Sequence, residues 1–224
     1  MAAPLRVYLE VGQTRVFAAA IDWPGWCRSG RDEASAIETL AGYGSRYAAA
    51  MGEGARFLAP AAADGLEIVE RLEGGSGTDF GVPGVAPAAD ATALEDDDEL
   101  TRLTGLLGAA WTTFHRVAKA AGRRPLRTGP RGGGRQVSAM IGHAAEAEAA
   151  YLYRLGGHFD GTGQTLADLA AIHEAALALL ASRARDEPIA MGRRTAPLWP
   201  PRYYVRRSAW HALDHAWEIE DRLS

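Results

Sequence analysis

The chain has 224 residues, 47% of them hydrophobic, with 24 Lys and Arg against 28 Asp and Glu for a net charge of −4. That length suits two domains better than one or three. An acidic balance leaves no global basic field to recruit nucleic acid or anionic lipid, so any anion site has to be local.

The first residues, MAAPLRVYLEVGQTRVF, lack the basic stretch and apolar core of a signal peptide, and charges interrupt every apolar run before it could span a bilayer. No membrane contact is expected. Residues 5–11 (LRVYLEV) and 15–21 (RVFAAAI) are β-rich runs separated by Gly-Gln-Thr, the spacing of a hairpin. A Pro-Gly turn in DWPGW follows, then a helix from about Asp32 to Met51, and a further strand over residues 65–73. Residues 1–73 therefore read as a small α+β domain. Its one cysteine, Cys27, excludes an internal disulfide and any cysteine-based zinc motif, which fits a reducing, cytoplasmic setting. It reads as a small residue packed at a turn rather than a reactive thiol.

Residues 74–97 are rich in Gly, Pro and Ala and close on an acidic cluster, the pattern of a linker or surface crossover leading into a helix N-terminus. Four amphipathic segments follow, over about 98–121, 136–156, 165–184 and 202–223. Four helices of some twenty residues close most naturally as an all-α four-helix bundle over residues 98–224.

Three histidines stand out in this half. His211 and His215, four apart in SAWHALDHAWEIEDRL, fall on one helix face beside an apolar stripe of Val205, Ala209, Ala212, Ala216, Ile219 and Leu223. His143 lies in QVSAMIGHAAEAEAAYLYRL among the small residues Gly142, Ala144 and Ala145. Each could be a core-edge residue satisfied by a nearby carboxylate or carbonyl. Together, three imidazoles on two facing helices suit a divalent transition metal (Zn, Ni or Fe) with an open position. Glu146 and Glu218, each three residues after a histidine, are candidates to orient those ligands or to join a two-metal site. The order is His-x-x-Glu rather than the Glu-x-x-His of di-iron carboxylate bundles, which favours one metal. His115, His158 and His173 have no comparable partners in sequence.

Two arginine-rich connections flank the histidine helices: Arg127, Arg131 and Arg135 before the second helix, and Arg202, Arg206 and Arg207 at the start of the fourth. His143 and His211 lie at similar depths, roughly 10–14 Å from the starts of their helices. If both helices entered from the same end, the arginines would frame an anion-attracting mouth over the metal, suited to a small acidic molecule. Trp199, Tyr203 and Tyr204 are candidates for a pocket wall, while Trp210 and Trp217 read as core.

A histidine on the second helix with H-x-x-x-H on the fourth, here His143 and H-A-L-D-H at 211–215, resembles the DinB-like superfamily of metal-binding four-helix proteins. The resemblance covers about residues 95–224. It implies a divalent metal held by those three histidines, and in some relatives the activation of a low-molecular-weight thiol such as mycothiol. The stretch VFAAAIDWPGWCRSGRDEASAIETL, with Asp22, Pro24, Gly25, Cys27, Ser29, Gly30, Glu33 and Ala34, resembles the HicB-like antitoxin fold, with Trp26 as an insertion. That resemblance, over residues 5–73, implies a partner-binding module that could cover the bundle, shape its pocket or mediate a homodimer. Two readings follow: a metal- and thiol-dependent transferase or hydrolase, or a non-catalytic partner-binding protein with a structural metal or none. An open coordination position beside a concave, arginine-lined pocket is expected of the first.

Overall fold

A computed structural model describes residues 4–55, 65–94, 96–129, 134–189 and 196–223. Its first part is a four-stranded sheet of β1 (Leu5–Val11), β2 (Val16–Ala20), β3 (Cys27–Gly30) and β4 (Leu66–Glu73), ordered β3-β2-β1-β4. β1 and β2 pair antiparallel as the hairpin expected from the sequence, with Val7 opposite Ala20 and Val11 opposite Val16. β4 returns parallel to β1 after a crossover through the helices α1 (Glu33–Gly42) and α2 (Gly44–Met51). The single helix expected over 32–51 is thus two, meeting at Tyr43. A Cβ on Gly44 would sit 3.1 Å from the Trp26 ring, so the indole fills the space at the break. β3 was not anticipated, because Cys-Arg-Ser-Gly carries no β-branched residue; its strand form comes from pairing with β2.

Strict alternation gives the sheet two apolar faces. Val7, Leu9, Val16, Ala18 and Ala20 join the main core, in which Trp26, Leu40 and Tyr47 pack with residues of the C-terminal helices. Tyr8, Phe17, Ala19, Ile21 and Cys27 face the other way, with Trp210 and the partly buried Val82 and Ala89. The segment expected as a linker therefore covers this second face. It forms the short helix α3 (Ser76–Phe80) and a 3-10 turn at Ala88–Ala91. The buried Glu10 carboxylate holds it, accepting from the backbone N–H of Gly84 and Val85 and the Thr78 hydroxyl at 2.5–3.0 Å.

Four long helices follow: α4 (Asp97–Ala121), α5 (Val137–Leu155), α6 (Leu166–Ala184) and α7 (Pro201–Leu223). All four lie within a residue or so of their expected bounds. Asp96 caps α4 by accepting from the Glu99 N–H, and Asp97, Asp98 and Glu99 occupy its first turn, where the helix dipole favours negative charge. Contacts link α4 with α7, α7 with α5, α5 with α6 and α6 with α4. Glu99 near the start of α4 bonds Arg202 near the start of α7, and Arg116 near its end approaches Glu220 near the end of α7, so α4 and α7 run the same way. The Trp199 N–H, just before α7, donates to Arg154 at the end of α5, while Arg222 near the end of α7 bonds the Arg135 carbonyl just before α5. α5 and α7 are therefore antiparallel. Among the described residues no helix is long and apolar enough to cross a membrane.

The Asp-x-Pro-Gly turn seats the sheet on α7. Gly25 has φ +90°, and a Cβ there would lie 2.9 Å from Leu213 and 3.1 Å from Ala209. The Tyr47 hydroxyl donates to the Pro24 carbonyl and the Trp26 indole to the Leu40 carbonyl, fixing the turn from behind.

Candidate metal centre

α7 carries His211 and His215 one turn apart, and the antiparallel α5 brings His143 against them. Helix spacing thus stacks two imidazoles, and packing through Ala144, Ala145, Ala212 and Ala216 lets the third approach. The three ring nitrogens lie within 4.8 Å of one another, close enough to hold a metal ion. His211 Nε2 is 3.4 Å from His143 Nε2 and 3.2 Å from His215 Nε2. Two nitrogens bound tetrahedrally at the usual zinc distance would be about 3.3 Å apart. His211 and His215 are buried and His143 is half-buried at the edge of a cavity.

The chemistry of the donors matches this spacing. His215 Nδ1 lies 3.2 Å from a Glu218 carboxylate oxygen, a contact that assigns the proton to Nδ1 and leaves Nε2 a lone pair facing the other rings. Glu218 in turn accepts from Arg222 at 2.8 Å, and Arg222 also donates to the carbonyls of Arg127 and Arg135. Burial pushes the Glu218 carboxyl up, but His215 and Arg222 outweigh it and hold it below its ordinary value. Burial, reinforced by His215 and nearby arginines, lowers His143, and it drives His211 well below the ordinary imidazole value. Neutral imidazoles with converging lone pairs are the form a metal requires.

Of the two glutamates expected beside the histidines, only Glu218 contacts one of them. Glu146 is exposed and accepts from the Gln164 side chain at 3.0 Å, on the face of α5 turned towards the start of α6. The expected arginine mouth is also divided. Because α5 and α7 are antiparallel, their preceding connections lie at opposite ends of the helices. Arg127 caps the C-terminus of α7 through the Asp221 and Arg222 carbonyls. Arg202 bonds Glu99 and the Ala93 carbonyl. Arg206 is buried, forked onto Asp90 at 2.7 and 2.8 Å and onto the Ala20 and Ile21 carbonyls, so it clamps the 74–94 segment and the sheet to α7. Arg135 and Arg207 line the cavity, and Arg131 lies outside the described residues.

The cavity, about 730 Å³, lies between α5, α7 and the sheet unit. Its walls include Tyr43, Tyr151, Trp210 and Trp217, so the two tryptophans read as core also face the site, while Tyr203 and Tyr204 are buried away from it. Sequence reasoning missed Arg28 and Asp214, which form an ion pair at the cavity wall between β3 and α7. Asp214 stands inside the H-A-L-D-H motif and was open to notice; Arg28 is 186 residues away and carried no signal. Cys27 is buried, its thiol pushed up to about 12 by burial, and it begins a strand rather than sitting at a turn. His173, which has no comparable partner in sequence, is buried and stacked on Trp111 with ring centres 3.8 Å apart.

Comparison of the chain with models of protein families, with curated proteins and with solved structures gives no match.

Proposed function

We propose that residues 98–224 are a DinB-like four-helix bundle whose His143, His211 and His215 bind one divalent transition metal, and that the protein is a thiol-dependent transferase acting on small molecules. The observation that carries this reading is the Nε2 spacing of 3.2 and 3.4 Å in rings that open onto a cavity. An ion there would lower the pKa of a cofactor thiol, such as that of mycothiol, so that it is a thiolate near neutrality. The chain's own residues do the rest. Glu218 orients His215, the aromatic walls exclude water, and Arg135 and Arg207 attract an acidic cofactor or substrate. The HicB-like sheet unit shapes the pocket through Arg28 and Tyr43, a role that favours the enzyme over a free partner-binding module.

The test is elemental analysis of tag-free protein purified without chelators, beside the His211→Ala/His215→Ala variant. About one equivalent of transition metal is expected in the parent and none in the variant, with helicity by circular dichroism preserved in both. Mycothiol and 1-chloro-2,4-dinitrobenzene then report transfer: the thiolate sulfur bonds the ring carbon, chloride leaves, and the thiol proton passes to solvent. A metal-free parent that takes up no added Zn²⁺, Ni²⁺ or Fe²⁺ defeats the proposal.

A further inference from the structure

The cavity's charges are unevenly answered. Arg28 is paired with Asp214, Arg222 with Glu218, and Asp221 with Arg46. Arg135 is exposed and solvated at the rim. Arg207 is different: it is half-buried, and among the described residues no carboxylate forms an ion pair with it. The buried carboxylate that feels its field, Glu148, is held by the Ser208 hydroxyl at 2.7 and 2.8 Å. A guanidinium half-removed from water without a counter-ion is a standing electrostatic demand for an anion.

Arg207 is also fixed in place. One of its nitrogens donates to the Pro83 carbonyl, and its guanidinium carbon lies 4.7 Å from the Trp210 ring centre and 5.5 Å from that of Tyr151. Its fork is therefore positioned before any ligand arrives, one helical turn ahead of His211 on the cavity wall. The residues just before Pro83 complete the surroundings. Phe80, Gly81 and Val82 line the same cavity, and Phe80, 74% exposed overall, is the most exposed of the big apolar side chains described. An anion seated on Arg207 has an apolar rim beside it, supplied by the crossover segment and not by the helices.

We infer that Arg207 and the Phe80–Val82 rim form a seat for an aryl carboxylate, the carboxylate on the guanidinium and the ring against Phe80 and Val82. This narrows the acidic ligand of the proposed site to one class and one residue. It rests on the cavity being a binding site, and does not require that the metal be present.

Benzoate titrated into the full-length protein, monitored by calorimetry and tryptophan fluorescence, tests it in chelator-treated and Zn²⁺-loaded samples. Binding is expected in both forms, with benzamide at least tenfold weaker. Arg207→Gln should weaken benzoate at least tenfold, and Arg185→Gln, outside the cavity and paired with Glu187, less than twofold. Phe80→Ala should weaken benzoate several-fold while leaving acetate unchanged. Arg207→Lys checks that any loss follows the fork and not a fold defect, since it keeps the charge; intermediate binding is expected. Benzoate binding that survives Arg207→Gln, or that appears only with Zn²⁺ and ignores Arg207, overturns the seat. Benzoate bound through Arg207 by a protein that never takes up metal leaves the seat standing and removes the metal reading instead.

Discussion

Glu218 is the residue on which the geometry of the histidine cluster most depends. It fixes the His215 tautomer from one oxygen and meets Arg222 with the other, so its loss frees the imidazole to turn without opening the core. Carboxylates that support metal-bound histidines typically contribute about 10–100-fold in affinity. Glu218→Gln is therefore expected to weaken Zn²⁺ binding by about that factor in competition with a chromophoric chelator, with unchanged circular dichroism, whereas Glu146→Gln should change it little. The histidine cluster itself was legible because helix periodicity is written locally: His211 and His215 need only a four-residue spacing to share a face. What each arginine does was not legible, because the partner is remote. Arg206 finds Asp90 at a separation of 116 residues, and no pattern in the sequence distinguishes it from the neighbouring Arg207, which faces the cavity.

At the scale of elements, each long helix was readable from apolar spacing and its terminal residues. Thr165 illustrates why. Its side chain accepts from the Asp168 N–H while Asp168 accepts from the Thr165 N–H and hydroxyl, a capping box at the start of α6. Thr165→Ala is expected to cost about 1 kcal/mol in urea unfolding, as removal of a side-chain cap usually does. A cost near zero would mean that the end of the α5–α6 connection is held by something other than this box. Elements defined by their neighbours were harder to read. β3 exists because Ala19 and Ala18 of β2 offer it a ladder, and the break at Tyr43 exists because Trp26 occupies the space beside Gly44. The direction of α5 relative to α7, which decides where the arginine connections lie, is a property of packing and is absent from any one segment.

Across the whole molecule, one hydrophobic core runs from the sheet through α1 and α2 into the four long helices, and two buried ionisable groups within it set opposite pH limits on stability. Burial raises Glu148 from 4.5 to about 7 against the opposing effect of the Ser208 hydrogen bond, while burial and His115 lower His173 from 6.5 to about 3. A carboxyl raised in the folded state favours the protonated fold, so its contribution is full below pH 4.5 and is lost as pH climbs through 7. An imidazole lowered in the folded state contributes fully above pH 6.5, and that contribution is lost as pH falls towards 3. Stability should therefore decline on both sides of a mildly acidic optimum. Glu148→Gln removes the alkaline limb: relative to the parent it should gain about 3 kcal/mol between pH 4 and pH 9, since a tenfold difference in proton affinity between the folded and unfolded chain corresponds to about 1.4 kcal/mol. His173→Phe keeps the stack on Trp111 and removes the acid limb, so its advantage should appear only below about pH 6. Urea unfolding of the three proteins at pH 4, 6.5 and 9 measures both limbs, and a variant-to-parent difference that stays flat with pH would show that neither buried group titrates in the folded protein as its surroundings dictate.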